Sequence, residues 1–310
     1  MKYFFTKYKF FLSGAALILT AASCTSTLSD EHATDACAIS FTPAAETRAA
    51  VDGTTLPADF LVWGGYSNTL LFEGETVHPN GSYENGTRYW VPGTYNFYAV
   101  YPATINETTF SNGSLTVKDF DCFATGNAAV DLMTAIPPSI TYEAGNEPQP
   151  VAMEFKHELA KVEVSVRTDQ GVTATIENAE LTGMVYKGTL TATSNSSTWA
   201  PITSTSDETP YQVTEPVTIN TPSTTSLFGD ILIIPQKTDK LTLNITITRD
   251  KKENTYYFDL GTSIAQWTAG RSYRYVLTIE ADAITFSNFT VDEWGETHTG
   301  GDINIGTSDN

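Results

Sequence analysis

The sequence predicts an all-β protein, and three observations carry that prediction. Short runs of alternating apolar and polar residues recur between Gly, Pro and Asn punctuation; Thr, Ser, Asn, Tyr and Phe are plentiful; and helix signals are weak. Period-two alternation buries one face of a strand and wets the other, so several such strands stack into sandwiches.

The first element is not a strand. Lys2, Lys7 and Lys9 precede an apolar run over 10–22, followed by Ser23 and Cys24. The run is shorter than the roughly 20 residues a membrane-spanning helix needs, and basic, apolar and small residues in that order make a secretion signal. Small residues ahead of a cysteine suit a lipoprotein signal peptidase, which would leave lipid on Cys24; an ordinary cut near Ala22 is the alternative.

Strand-length alternation then appears at 38–41, 60–66, 95–101, 161–167, 241–249, 255–260, 273–280 and 284–291. Leu241, Leu243, Ile245 and Ile247 alternate with Thr242, Asn244, Thr246 and Thr248, and Val162, Val164 and Val166 follow the same rule. Residues 231–234 lack alternation and stop at Pro235, which predicts a strand buried on both faces. One helical turn is expected over 156–161, where Glu158, Leu159 and Ala160 favour it. Residues 106–113 read as a loop, and the Ser/Thr clusters at 191–209 and 218–226 as long hairpin loops. The Pro- and Gly-rich stretch 136–150 breaks the chain most visibly. The expected division is therefore a signal peptide at 1–23, an N-terminal segment at 24–48, and β-domains at 49–150 and 151–310.

Of 17 basic residues three leave with the signal, so the remainder carries 14 against 36 acids, a net of −22. Nucleic acid and anionic membrane surfaces are poor partners for such a chain. Cys37 and Cys122 remain once Cys24 is assigned to lipid; they form either one bridge or two small buried hydrophobes. His32, His78, His157 and His298 stand far apart without partners at ligand spacing, so no metal site is read. Gly64-Gly65 continues into Tyr66 and Ser67 rather than into a phosphate-cradling turn and helix. No nucleophile elbow or triad is legible, so no catalytic residue or cofactor is assigned. Paired glycosidase carboxylates leave no local signature, and a hydrolase is the least favoured class. Trp90 and Trp267 precede turns and strands and read as buried plugs, whereas Trp199 lies in a polar loop where core and ligand roles weigh evenly.

The order of several short motifs resembles the fimbrillin-like proteins of Bacteroidetes, whose members form type V pili. The matching pieces are the signal ending at Cys24; Ile39-Ser40-Phe41 leading to Thr47-Arg48-Ala49; Tyr89-Trp90-Val91-Pro92 with Tyr95, Phe97 and Tyr101-Pro102; and Asp131-Leu132-Met133-Thr134-Ala135. Phe155-Lys156-His157-Glu158-Leu159, Ile233-Ile234-Pro235-Gln236, Trp267-Thr268-Ala269-Gly270 and Trp294 follow. The resemblance spans nearly the whole chain. It implies two tandem transthyretin-like β-sandwich domains, export as a lipoprotein to the outer membrane, proteolytic loss of an N-terminal strand, and polymerisation with other fimbrial subunits by strand exchange in an extracellular fimbria.

Between Lys9 and Arg88 the only Lys or Arg is Arg48, so a trypsin-like protease has one target there, between Arg48 and Ala49. The cut would release the strand bearing Cys37, Ile39 and Phe41 on one face and open a groove for a neighbour's strand. Burial of Ile39 and Phe41 is worth roughly 1.5–3 kcal/mol each, so a donor with similar anchors makes the exchange nearly neutral. Donor candidates lie within 283–310: Ile284 and Phe286 in one run, Ile303 and Ile305 in the tail. If the tail is inert the chain is a terminal subunit; a Cys37–Cys122 bridge would oppose release of the strand. The expected function is a structural or tip (adhesin) subunit and not an enzyme. The alternative is a monomeric surface lipoprotein that binds a host protein or glycan through loop aromatics.

Overall fold

The computed structural model describes residues 37–45, 56–67, 69–105, 107–123, 130–202, 211–262 and 264–294. Cys24, Arg48, Ala49, Ile303 and Ile305 lie outside these residues, and Phe286 is described by its backbone pairing alone. The described chain is all-β, with a 3-10 turn over Leu260–Thr262 and a further 3-10 residue at Cys37.

The strands are β1 (Phe41–Ala45), β2 (Phe60–Tyr66), β3 (Thr69–Val77), β4 (Gly93–Tyr101), β5 (Thr108–Ser111), β6 (Ser114–Asp121), β7 (Met133–Ala135), β8 (Ile140–Tyr142), β9 (Val151–His157), β10 (Ala160–Thr168), β11 (Ala174–Thr182), β12 (Lys187–Ala192) and β13 (Ser197–Ile202), followed by further strands named below by residue. A seven-stranded sheet runs β1-β9-β7-β4-β2-β3, with β8 on β4. Its end strands meet across the core, for the Phe41 and Phe72 rings lie 5.2 Å apart edge to face. The sheet therefore curls so that β1 closes it against β3. Phe60, Tyr95, Phe97, Met153 and Phe155 fill the space within. Gly64 and Gly65 are strand residues at a bulge between β2 and β3, not a loop. A Cβ on Gly64 would stand 2.3 Å from the Asn96 carbonyl oxygen and one on Gly65 2.0 Å from that of Thr69, which is why both are glycine.

The second half builds two five-stranded sheets. One contains β10, parallel to Arg271–Ile279, with Ile284–Glu293 antiparallel at its edge. The other contains β11 and the hairpin Thr242–Arg249 and Lys252–Asp259. Leu241, Leu243, Ile245 and Ile247 are buried, as are Val162, Val164 and Val166, as alternation predicts. Ile231 to Ile234 are buried throughout.

Four local expectations are corrected. Residues 156–161 form no helical turn: β9 runs to His157 and β10 starts at Ala160, because burial of Phe155, Leu159 and Ala160 in two sheets outweighs a weak helix preference. The expected loop at 106–113 holds β5 and a two-residue turn to β6, with Asn112 and Gly113 at φ 51° and 72°. Residues 191–202 are a tight hairpin, β12 to β13, and 218–226 contribute edge pairings to β11 and β10. Both clusters are rich in β-favouring Thr, which pairs at sheet edges as readily as it loops. Finally, β9 belongs to the first sheet, so sheet membership changes at Glu158-Leu159 rather than at 150. The β5–β6 hairpin crosses the expected divide as well, joining β12 and β13 in a four-stranded sheet of order β13-β12-β6-β5.

Candidate functional site

The segment 37–45 is held from three sides. On its inner flank β1 pairs parallel with β9, Phe41 opposite Val151 through Ala45 opposite Phe155, and the Val151 N–H donates to the Ser40 carbonyl at 2.8 Å. Ahead of β1 the chain pairs antiparallel with 88–90: Ile39 N–H donates to the Arg88 carbonyl at 2.8 Å and Trp90 N–H to that of Cys37 at 2.9 Å. Tyr83 completes the clasp by donating its hydroxyl to the Ile39 carbonyl at 2.9 Å.

Side chains seal the inner face. Ile39 is 1% and Phe41 3% exposed. Phe41 meets Phe72, Tyr83 and Phe97 edge to face, arrangements that add to the area buried. Above it the turn around Gly81 (φ 82°) comes so close that a Cβ would lie 1.9 Å from the Phe41 carbonyl oxygen. Only glycine permits that approach.

Arg88 anchors the clasp. Its guanidinium donates to Glu75 Oε2 at 2.7 Å and to the Leu71 carbonyl at 3.0 Å, and lies over the Phe72 and Tyr83 rings. Glu75 is buried and also accepts from Asn85 at 2.7 Å, so the pair is hydrogen-bonded throughout.

Ile39 and Phe41 thus fall together in one core pocket, and Cys37 is partly buried at its entrance. Cys122 is a buried free thiol, pushed up to about 12 by burial, so the Cys37–Cys122 bridge is excluded. Ile284 heads a strand already paired with Arg271–Ile279. Trp90 and Trp267 are core plugs. Trp199, the loop aromatic weighed for ligand stacking, donates its indole N–H to the Glu158 carbonyl at 2.9 Å and packs on Phe120, which ties it to the fold. Gly81, Tyr83 and Arg88 were not read from sequence. The Pro-Asn-Gly turn at 79–81 and the isolation of Arg88 are the only local hints of them. Among the described residues no group of His, Cys, Asp and Glu is placed to hold a metal ion.

Fold and site together define an all-β protein whose first described strand is the edge strand that closes its own sheet. The chain belongs to the fimbrillin-like family, whose model matches residues 32–294. The fold is shared with two crystal structures of candidate cell adhesion proteins. That from Bacteroides uniformis ATCC 8492 is 20% identical, with a TM-score of 0.52, over 83% of this chain and 99% of that one. The one from Bacteroides ovatus ATCC 8483 is 16% identical, with a TM-score of 0.51, over 84% and 99%. No curated protein matches the sequence.

Proposed function

We propose that this chain is a structural or tip subunit of a cell-surface fimbria, exported as a lipoprotein on Cys24 and assembled after cleavage between Arg48 and Ala49. The observation that carries the reading is the seat of Ile39 and Phe41: both fill the core of the first sheet, Phe41 from the edge strand β1 and Ile39 from the segment leading into it. Loss of the strand uncovers the β9 edge and the Phe72–Phe97 pocket, a groove that a strand from another subunit fills by main-chain pairing and alternate side chains. The transthyretin-like tandem sandwich and the outer-membrane stage before the fibre belong to the same proposal. Because residues 284–293 are built into their own sheet, the tail with Ile303 and Ile305 is the better donor, and Ile284 and Phe286 the poorer.

Limited trypsin digestion tests the proposal. The expected product begins at Ala49 and, when concentrated, forms ladders that resist denaturant without heat, while Arg48→Ala prevents both. A product that starts at Ala49 yet stays monomeric at high concentration overturns the assembly reading.

A further inference from the structure

The seat of β1 makes two kinds of contact with its occupant, and only one of them can tell strands apart. The main-chain contacts are blind to side chains: the Arg88 carbonyl and the Tyr83 hydroxyl meet the backbone of residue 39, and the Val151 N–H meets the carbonyl of residue 40. They fix direction and register, because the occupant runs parallel to β9 and antiparallel to 88–90. Selection among strands therefore falls to the side chains that enter the pockets.

The two buried positions differ in kind. Position 39 holds an aliphatic side chain, whereas position 41 is walled by rings. Phe72, Phe97 and Tyr83 stand 5.2, 5.6 and 6.1 Å from the Phe41 ring, at interplanar angles of 77°, 86° and 64°. These walls brace one another, since Phe72 meets Tyr83 edge to face at 5.1 Å and the Arg88 guanidinium lies over both. A seat braced in this way resists collapse around a smaller side chain. An aliphatic occupant at position 41 leaves part of the seat empty and forfeits the ring contacts. Further along, Ala45 is partly buried against the same cluster, which favours a small residue four places after the aromatic one.

We propose that the groove selects its donor strand by an aromatic residue two places after an aliphatic one, and that the ring seat of Phe72, Tyr83 and Phe97 is the specificity determinant. The proposal rests on the assembly reading and names the kind of strand that reading requires. Within this chain Ile284-Thr285-Phe286 has the pair but is taken up by its own sheet, and Ile303-Asn304-Ile305 suits the first seat and underfills the second.

The test titrates the trypsin-cut chain, separated from its released segment, with a labelled synthetic peptide of sequence 36–47 carrying Cys37→Ser, and follows fluorescence anisotropy. Saturable binding is expected with the cut chain and none with the uncut chain. In the peptide, Phe41→Leu should weaken binding about tenfold and Phe41→Ala about a hundredfold or more, whereas Ile39→Val should cost about fivefold or less. In the protein, Tyr83→Phe removes the hydroxyl contact to the backbone of residue 39 but keeps the ring, so it should weaken all peptides by one factor and leave the Phe-to-Leu ratio unchanged. Tyr83→Ala removes a wall and should shrink that ratio. Equal binding of the Phe and Leu peptides, or a ratio that Tyr83→Ala leaves intact, overturns the selectivity while the assembly reading stands. Failure of every peptide to bind the cut chain overturns the assembly reading, and the selectivity falls with it.

Discussion

Glu158 stands where the first sheet hands over to the second. Its carboxylate accepts from Thr134 and from Ser197 at 2.8 Å, its carbonyl from Trp199, and its own N–H donates to the Leu132 carbonyl at 2.9 Å. Burial pushes its pKa above the ordinary 4.5, a rise that the Thr134 and Ser197 hydrogen bonds only partly offset. The folded state then holds a proton that the unfolded state releases first. Stability is therefore fully present below 4.5 and is lost as pH rises through the folded-state value. Glu158→Gln keeps the acceptor and removes the titration. The expected outcome is a gain in melting temperature over the parent at pH 7.5 that disappears at pH 4; an equal effect at both would assign Glu158 no such role. None of this was legible in sequence, where Glu158 followed by Leu159 and Ala160 reads as helix former rather than as a buried acid. Of the two cysteines read as either bridged to each other or both buried as small hydrophobes, Cys122 is buried and free, whereas Cys37 is partly buried and disulfide-bonded.

At the scale of the element, β1 illustrates what alternation can and cannot announce. Ile39 and Phe41 separated by Ser40 predict a one-faced strand, and both side chains are buried. What holds the strand was not predictable, because Tyr83 and Arg88 act from some forty residues away and pairing across such a span leaves no local trace. Gly81 offers the sharpest test of the seat. Gly81→Ala places a methyl group against the Phe41 carbonyl and strains a positive φ, which together should cost about 1–3 kcal/mol. The cost should fall on the clasp: hydrogen exchange at Ile39 and Trp90 accelerates while that at Ile245 and Ile247 is unchanged. Uniform acceleration across both sheets would show that the turn supports the whole fold rather than the strand. The β5–β6 turn makes the same point in reverse. Asn112-Gly113 is a strong short-range hairpin signal, yet its flanks are too polar to stand out as strands until β12 pairs with β6.

Across the whole molecule, the strict-period strands predicted the fold class because their burial is one-sided and therefore written into residue type. The division at 150 was less legible. The Pro- and Gly-rich stretch there carries β8, which pairs with β4 and so belongs to the first sheet. Trp63, Tyr98 and Val100 of β2 and β4 pack in the same core as β10 and β11, and the β5–β6 hairpin is a partner of β12. Two halves stitched this way should melt as one: calorimetry should give a single transition with matching calorimetric and van't Hoff enthalpies. Two resolved transitions would show that the shared core adds little coupling.

The position of β1 has a topological consequence. It precedes every other described strand along the chain and also lies outermost in its hydrogen-bonded ladder. Such a piece can be lifted away sideways without unthreading any loop or parting any pair of neighbours that both stay behind. The flank opposite β9 is covered by 81–90, so under the proposed exchange a replacement strand pairs with β9 and slides beneath that clasp while the rest of the fold stays in place.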